Sequence, residues 1–588
     1  MSLTTNYTIL DIIDEGLKKN GTGNVLNTKR NGKWIPTSVE EFKEKVRNFA
    51  LGLHDLGIKK GDRVALHSEN STEWIIADQA ILSLGAVNVP IYTTQPGDQI
   101  KYILENSEAK IYVCSKQELF EGFAPHVSSV STLKHVVGIV DVTYEKALTM
   151  DDVMAKGAEL HAKDSGLFEK MKSEVSPDDY ASFIYTSGTT GVPKGVILTH
   201  GNIASNVMSS LDRVPFTEDQ KDLQILSFLP LSHIFERMLD YLYIYLGFSI
   251  HYIEVLEEIV DDIKNVKPHF FATVPRLLEK VYAKMRSKPD ELSGLKKKLF
   301  IWALHLAENK DLEDPNPGFK YKIADKLIYS KIREGLGGNL LGMISGGAAL
   351  TPQVMRFFNS IGLYCGQGYG LTETSPVIAV TAKDANRVGS VGKPIQGVEV
   401  KIADDGEILC KGPNVMQGYY KLPDKTAEVL VDGWFHTGDI GKFDNDGFLY
   451  ITDRKKDLFK LSTGKYVAPS NIEGELANSL LIEQCCVLGN GRKFCSALII
   501  PSLENIQGKV PEMVAEKMPD DPKVRELIQA EVDEVNAKLP KWEQVKKFEI
   551  LSHPLTIETG ELTPTMKMKR PVVKEKYKKQ IENIYKED

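Results

Sequence analysis

The chain has 588 residues, of which 42% are hydrophobic and 26% are charged, and its formal net charge is -8 at pH 7. This length exceeds what one hydrophobic core organises and predicts about two to four domains. The composition is ordinary for a globular protein in water. The negative net charge argues against a general nucleic-acid binder.

The six cysteines are scattered and show no metal-ligand spacing. They predict a reducing compartment without a disulfide framework. The start of the chain, MSLTTNYTILDIIDEGLKK, lacks the basic and apolar blocks of a signal peptide. No run approaches the roughly 18 apolar residues of a spanning helix. We expect a cytoplasmic protein, and a peripheral association with a membrane stays open.

The N-terminal part alternates strand and helix patterns. Apolar residues recur at helical spacing over 37–57, after a capping box of Ser38 and Glu41. Further patterns predict a helix at 72–84 and strands at 63–66, 86–92, 110–113, 135–140 and 181–185. This rhythm predicts a parallel sheet covered by helices.

Two glycine-rich stretches come after predicted strands. The strand 340–345 runs into a turn at 346–349, and Thr351 and Pro352 then begin a helix as its N-cap and first residue. A second turn is expected at 366–370, after a very short strand. Turns at the carboxyl edge of an open α/β sheet face ligands.

The pattern changes near residue 398, where hairpins and turns begin. A strand at 448–452 ends in five charged residues, 453–457, which predict an exposed turn at a domain boundary. The remaining chain alternates helix and hairpin patterns. We therefore expect an α/β fold, with a large N-terminal α/β domain of several subdomains at 1–452 and a smaller, mobile α+β C-terminal domain at 453–588.

The stretch richest in chemistry is Thr186–Gly195, TSGTTGVPKG. Glycines let backbone N–H groups approach phosphate oxygens, hydroxyls add donors, and Lys194 adds positive charge. It is not a Walker A loop, because glycine follows Lys194. A flexible surface loop has the same composition.

Five downstream segments accompany this stretch in order: LPLSHIFE (229–236), YGLTET (369–374), GWFHTGD (433–439), DRKK (453–456) and LTPTMKMKR (562–570). Together the six segments resemble the adenylate-forming superfamily, which comprises acyl-CoA synthetases, luciferases and peptide-synthetase adenylation domains. The resemblance covers essentially the whole chain. It implies that ATP activates a carboxylate as acyl-adenylate, releasing pyrophosphate, and that a thiol then displaces AMP.

The resemblance also implies how the nucleotide is held. The β- and γ-phosphates would contact the loop residues Thr186, Ser187, Gly188, Thr189, Thr190, Gly191 and Lys194. Adenine would lie between Tyr369 and the turn Gly346, Gly347 and Ala348, with Gly370 and Thr372 alongside. Asp439 would accept from the ribose, Arg454 would contact ribose or phosphate, and Glu373 would hold Mg²⁺.

Two further residues would act on the acyl group. His233 would line the acyl pocket, although a lone histidine also serves as a packed or capping residue. Lys567 begins Lys-Met-Lys-Arg, and the family register selects it rather than Lys569. Its ammonium would bridge the carboxylate and the α-phosphate and stabilise the transition state. Lys567, Glu373, Thr186 and His233 form the expected catalytic set.

The resemblance further implies a hinge at Asp453, about which the small domain rotates between the two half-reactions. Gly464 would then make room for the pantetheine arm of coenzyme A.

Two segments, 453–469 and 268–282, resemble those of long-chain fatty acyl-CoA synthetases. The expected substrates are a fatty acid, ATP and coenzyme A, with Mg²⁺ as cofactor. An apolar tunnel would reward chain length, at about 0.8 kcal/mol for each buried CH₂. An acyl-AMP ligase that loads a carrier protein and a catalytically silent adenylate or acyl-lipid binding protein stay open as alternatives.

Overall fold

The structure is a computed structural model that describes residues 6–20, 23–140, 142–187, 192–216, 220, 222–253, 255, 258–314, 318–563 and 567–586. Two large sheets, a smaller five-stranded sheet and a C-terminal three-stranded sheet organise these residues.

The first large sheet has eight strands. Its centre is parallel, and the hairpin 180–199 adds antiparallel pairing at one side. Its strands, in spatial order, are Gly418–Tyr419, Pro193–Thr199, Tyr180–Ser187, Val87–Ile91, Arg63–His67, Ile111–Cys114, His135–Gly138 and Ala147–Thr149.

The second large sheet has nine strands and a parallel core of six. Antiparallel strands close both of its edges. In spatial order it contains Lys393–Pro394, Val377–Val380, Tyr364–Gly370, Gly342–Ser345, Phe270–Thr273, Gln224–Ser227, Ser249–Tyr252, Asn24–Arg30 and Lys33–Ser38.

Helices cover both large sheets, because each strand-to-parallel-strand connection must cross a face of its sheet. The predicted helix at 37–57 is confirmed as Val39–Asp55, where the Ser38 side chain accepts from the Glu41 amide. Other α-helices of this region are Ile9–Asn20, Thr72–Ser83, Gly97–Ser107, Gln117–Phe123, Met150–Lys163, Leu167–Ser173, His200–Ser210, Ile234–Tyr245, Ile259–Val266, Pro275–Ser287, Gly294–Glu308, Gly318–Ala324, Ser330–Gly335, Pro352–Ser360 and Pro423–Ala427.

The five-stranded sheet follows in the chain and contains Glu399–Ile402, Glu407–Lys411, Trp434–Phe443, Leu430–Val431 and Leu449–Arg454. The predicted hairpin after residue 398 is confirmed by the antiparallel pairing of its first two strands.

The C-terminal part forms a small α+β unit with its own apolar cores. Its strands are Phe459–Lys460, Tyr466–Val467, Ile482–Leu488, Cys495–Pro501 and Val545–Ile550, and its α-helices are Pro469–Ala477, Leu503–Gln507, Pro522–Asn536, Arg570–Lys576 and Lys578–Tyr585. The expected α/β fold, with a large N-terminal domain and a smaller C-terminal one, is confirmed. The boundary at 452/453 stays a prediction.

A small set of hydrogen bonds joins the two domains. Arg276 donates to the main-chain carbonyls of Ala477, Ile482 and Glu483. Thr351 donates to Asn478 Oδ1 at 3.2 Å. Thr351 is the N-cap residue of the helix Pro352–Ser360 and Pro352 is its first residue, as predicted, although the Thr351 side chain makes no capping hydrogen bond. Its hydroxyl is used between domains instead.

All six cysteines are buried and free. Burial raises the pKa of every one of these thiols, for example that of Cys114 to about 12. Among the described residues, no helix is long and apolar enough to cross a membrane.

Candidate active site

The predicted phosphate loop is the end of a β-hairpin. Strands Tyr180–Ser187 and Pro193–Thr199 pair antiparallel, with Thr186 opposite Lys194. The prediction of a loop over all of 186–195 is wrong at both ends, because ladder pairing continues to Ser187 and resumes at Pro193. Gly188, Thr189, Thr190 and Gly191 lie outside the described residues, so their phosphate contacts stay predictions.

Lys194 lies in a charged and aromatic setting. Its Nζ is 4.4 Å from the ring centre of Tyr419. Burial lowers the pKa of Lys194, the charge of Glu373 opposes that shift, and the charges of Lys456 and Lys425 add to it. The charges of two further lysines thus act on Lys194, an arrangement suited to a polyanion such as a triphosphate.

Glu373 is held at a defined position at the end of the strand Tyr364–Gly370. It belongs to the 3-10 turn Thr372–Thr374, in which Thr372 is buried. Tyr419 Oη donates to Glu373 Oε1 at 2.9 Å. The carboxylate is half-buried and so presents oxygen ligands at the same place as the Lys194 ammonium.

The glycine-rich stretch 366–370 is part of a strand, so the prediction of a turn there is wrong. Glycine at position 370 allows close backbone packing. A Cβ at Gly370 would lie 1.8 Å from the carbonyl oxygen of Pro376. The strand pairing that brings Pro376 back onto Gly370 is the reason for glycine at this position.

The turn Gly346, Gly347 and Ala348 begins where the strand Gly342–Ser345 ends, as predicted. Its neighbouring strand carries Tyr369, and Ser345 is in register with Gln367. Gly347 has φ +81° and is exposed together with Ala348. The turn and Tyr369 thus lie at the same edge of the sheet.

Asp439 has one side-chain hydrogen-bond donor and one ion-pair partner among the described residues. Tyr369 Oη donates to Asp439 Oδ2 at 2.9 Å, and Arg454 Nε is 3.1 Å from Oδ1. Burial raises the pKa of Asp439, whereas Arg454, the Tyr369 hydroxyl and Lys567 oppose that rise. Each carboxylate oxygen can accept more than one hydrogen bond, so these contacts leave capacity for a ribose hydroxyl.

Lys567 is brought to this cleft from the C-terminal domain. Two hydrogen bonds beside the isolated bridge of Leu562 and Met568 fix its backbone, Thr563 N to Lys567 O at 2.8 Å and Lys567 N to Thr563 Oγ1 at 3.0 Å. Solvent reaches Lys567. Protein nevertheless surrounds it, and this desolvation lowers the pKa of Lys567, as does Arg454, whereas Asp439 and Glu373 oppose the shift.

Lys569 has a different place. Its amide donates to Glu561 O, and it is the N-cap residue of the helix Arg570–Lys576. The structure thus brings Lys567, rather than Lys569, within electrostatic range of Glu373 and Asp439. The catalytic role of Lys567 stays a prediction.

His233 is the N-cap of the helix Ile234–Tyr245. Its Nδ1 accepts from the Phe235 amide at 3.1 Å, so the neutral ring carries its proton on Nε2. Burial, together with the charge of Lys567, lowers the pKa of His233 to about 4. The residue is therefore both a cap and a neutral N–H donor near Lys567. A Cβ at Gly346 would meet the Phe235 ring at 2.8 Å, which places the glycine turn against this helix.

Asp453 does not lie in an exposed turn, so that prediction is wrong. It is buried in the strand Leu449–Arg454, in register with Ile440, because the ladder continues past Thr452. Its Oδ1 accepts from the Arg454 amide, and burial raises the pKa of Asp453 to about 6. The turn begins after Arg454. The hinge role stays a prediction.

Gly464 lies at the exposed turn between the short strands Phe459–Lys460 and Tyr466–Val467. Its φ is +87°, a conformation that favours glycine. Within the part of the chain that the structure describes, a Cβ at this position would meet no heavy atom within 4 Å apart from those of its chain neighbours. Its place in a coenzyme A channel stays a prediction.

Sequence reasoning missed three residues of this cluster: Tyr419, Lys425 and Lys456. Lys456 belongs to the DRKK segment, whose run of charges predicts only an exposed turn. Nothing local marks Tyr419. It reaches Glu373 because Gly418–Tyr419 pairs with the second strand of the hairpin.

Comparison with known families agrees with this geometry. A family model described as AMP-binding enzyme matches residues 21–420, and one described as AMP-binding enzyme C-terminal domain matches residues 456–588. The chain belongs to the AMP-binding enzyme family. The resemblance to adenylate-forming enzymes is thereby confirmed.

Curated relatives of this AMP-binding enzyme match nearly end to end. The long-chain-fatty-acid–CoA ligase FadD15 of Mycobacterium bovis is 35% identical over 566 residues, which are 94% of this chain and 93% of the relative. Long chain acyl-CoA synthetase 3 of Arabidopsis thaliana is 32% identical over 598 residues, 95% of this chain and 88% of the relative.

Solved structures show the same fold. The adenylation domain of a carboxylate reductase from Mycobacterium chelonae matches with a TM-score of 0.78 at 24% identity, covering 98% of this chain and 91% of the other. A Mycobacterium tuberculosis fatty acyl CoA synthetase matches with a TM-score of 0.61 at 21% identity, covering 97% and 98%.

Proposed function

We propose that this AMP-binding enzyme activates a long-chain fatty acid with ATP and transfers the acyl group to coenzyme A. In the first step a carboxylate oxygen attacks the α-phosphorus, and the bond to pyrophosphate breaks. In the second step the thiol sulfur attacks the acyl carbon, the bond to AMP breaks, and the thiol proton is lost. The products are acyl-CoA, AMP and pyrophosphate.

One observation carries the adenylation proposal. The ammonium of Lys567 comes from the C-terminal domain, yet the carboxylates of Glu373 and Asp439 in the large domain act electrostatically on it. Lys567 thus places a positive charge near Asp439, proposed to bind the ribose, and Glu373, proposed to bind Mg²⁺. A cation at this place would stabilise the approach of a carboxylate to a phosphate, since both carry negative charge. Such positioned charge is the main catalytic tool for phosphorus chemistry.

Glu373 fits a magnesium ion. Its carboxylate is half-buried, and the Tyr419 hydroxyl already orients Oε1. Among the described residues, no group of three or more His, Cys, Asp or Glu could hold a metal. Most ligands would therefore be phosphate oxygens and water, as is usual for Mg²⁺. When bound, the ion would neutralise phosphate charge.

The remaining residues have separable tasks. Lys194, Lys456 and Lys425 would stabilise the departing pyrophosphate. Asp439 would orient the ribose. His233 would donate its Nε2–H toward the reacting carboxylate. It would take no proton from that group, because a carboxylic acid is already ionised near neutral pH.

The choice of a long-chain acid and of coenzyme A rests on the curated relatives. Their names specify these substrates, and they match this chain over almost its whole length. An initial-rate series of saturated acids, with ATP and with or without coenzyme A, tests it. The proposal requires an optimum above about C10, because longer tails bury more CH₂ groups, together with AMP formation that depends on coenzyme A. A short-acid or aryl optimum would overturn it.

The proposal extends to movement and location. Rotation of residues 453–588 about the Asp453 region would withdraw Lys567 after adenylation and bring Gly464 toward the thiol. A long-chain acid is concentrated in membranes, so we also place the enzyme in the cytoplasm with a peripheral contact to a lipid surface.

A further inference from the structure

Two adjacent helical segments expose apolar side chains in an unusual way. The segments are Gly294–Glu308 and the run Gly318–Gly335, which includes a π-helical turn at Asp325–Tyr329. Phe319 is 78% exposed and Leu295 is 72% exposed, the highest values among the exposed large apolar side chains of the described residues. Ile301, Ile323 and Leu327 are exposed as well.

Other apolar side chains of these two segments pack into the interior of the large domain. Ala303, Leu304, Ala307, Ala324 and Tyr329 are buried in an apolar cluster that also contains Leu226, Phe271 and Met343 from strands of the nine-stranded sheet. Tyr329 Oη donates to Ala303 O at 2.7 Å and ties the two segments together. The exposed apolar residues are therefore additional to the core-facing set. Phe319, Ile323 and Leu327 are four residues apart, a spacing that keeps them on one outer face.

The same segments carry a local excess of positive charge. They contain seven lysines and one arginine against three acidic residues, in a chain whose net charge is -8. Of the acidic residues, Asp325 pairs with Arg333, and Glu308 accepts from Tyr282. Within the described part of the chain, six of the lysines form no ion pair: Lys296, Lys298, Lys320, Lys322, Lys326 and Lys331.

We propose that the outer surface of Gly294–Glu308 and Gly318–Gly335, hereafter the docking face, binds an anionic lipid surface. Apolar side chains flanked by lysines match the boundary between acyl chains and headgroups, where the lysine stems lie against apolar groups and the ammonium groups reach phosphates. A two-fold contact between copies would place like charges against each other. This proposal rests on the proposed function in one respect only: the membrane would be the source of the fatty-acid substrate.

Vesicle co-sedimentation of the full chain tests the docking face. The probes are vesicles of phosphatidylcholine alone and vesicles that also contain phosphatidylglycerol. The apolar variant is Leu295→Ser with Phe319→Ser, and the charge variant is Lys298→Gln with Lys322→Gln. The matched control is Val514→Ser with Lys578→Gln and Lys579→Gln, which are exposed positions of the C-terminal domain.

We expect the wild type and the control to bind phosphatidylglycerol vesicles. Each lysine near an anionic surface contributes about fivefold to binding at low salt, so the charge variant should lose about tenfold or more. The apolar variant should lose binding by a similar factor, and its loss should persist at high salt, where charge is screened. Activity on dissolved dodecanoate should be equal in all four proteins, which shows that the variants fold.

Several outcomes would overturn the docking face. One is a wild type that binds neither kind of vesicle. Another is equal vesicle binding by the control, the apolar variant and the charge variant, the last two of which alter the docking face. A third is a change from dimer to monomer in the docking variants without a change in vesicle binding, which would assign the face to a second copy. If the wild type binds vesicles but activates no fatty acid, lipid binding by the docking face is supported and the proposed function is refuted.

Discussion

Arg276 of the large domain donates from Nη2 to the main-chain carbonyl of Glu483 in the small domain, at 2.8 Å. It also donates to Ala477 O, the last carbonyl of the helix Pro469–Ala477. A helix C-terminus has unpaired carbonyls and a partial negative charge, so a guanidinium is well suited to it. The contact is made while Lys567 lies in the cleft.

Arg276→Ala should therefore slow adenylation selectively. Loss of charge-assisted hydrogen bonds would lower the population of the arrangement that holds Lys567 in place, and we expect pyrophosphate release to fall about fivefold to tenfold. Thioester formation from supplied acyl-AMP should change little. Arg286→Ala, on the same helix and facing solvent, is the control. Equal slowing of both half-reactions would show that Arg276 does not discriminate between domain arrangements.

Lys567→Ala should reduce adenylate formation by about two to three orders of magnitude, the usual effect of removing a positioned transition-state donor. It should leave thioester formation from acyl-AMP nearly intact. Lys569→Ala removes the same charge two residues away and should keep most adenylation activity. If Lys569→Ala is the more damaging change, the family register has been assigned to the wrong lysine.

Tyr419→Phe should weaken the use of Mg·ATP. The variant keeps the ring beside Lys194 but removes the hydroxyl that orients Glu373 Oε1. One such bond to a carboxylate corresponds to about a tenfold effect, so the KM for Mg·ATP should rise by that order and respond to added Mg²⁺. Tyr420→Phe removes the neighbouring hydroxyl, which contacts Glu108. A KM unchanged in Tyr419→Phe and raised in Tyr420→Phe would contradict this role for Tyr419.

His200→Leu should make the protein less sensitive to acid. His200 is fully buried, and burial lowers its pKa from 6.5 to about 4. Between these values the unfolded chain binds a proton that the folded chain does not. The stability tied to His200 is thus present above pH 6.5 and is lost as the pH falls toward 4, by up to about 1.4 kcal/mol per pH unit.

Calorimetric Tm values of both proteins, taken from about pH 7.5 to about pH 5, give the comparison. The wild-type Tm should fall more steeply with acidification than that of His200→Leu, because other titrating groups are common to both. Parallel curves would show that His200 binds its proton as readily in the folded protein as in the unfolded chain, contrary to the effect expected of its burial.

Much of the fold follows from local patterns. The helix Val39–Asp55 and the parallel strands around Arg63–His67 are visible because apolar periodicity is a local property. Gly366–Gly370 is different. Its composition resembles a turn, yet Gly370 is required by the carbonyl of nearby Pro376, which approaches because the strands Tyr364–Gly370 and Val377–Val380 pair. Asp453 likewise has the charged neighbours of an exposed turn, and only the ladder with Ile440 explains its burial.

Some residues of the candidate site could be predicted from the sequence, and others could not. Glu373, Asp439 and Lys567 could be named from ordered motifs. Their convergence could not be predicted from spacing, because Lys567 lies on another domain. Tyr419 carries no local signal, since its function depends on the pairing of Gly418–Tyr419 with the hairpin.

The six buried thiols make the native chain a convenient starting point for optical measurements. Burial and the raised thiol pKa values protect these cysteines from maleimides near neutral pH. One engineered cysteine on each domain could thus be coupled to a donor and an acceptor dye without first removing the native ones. Energy transfer between the dyes would then test whether the small domain rotates between the two half-reactions.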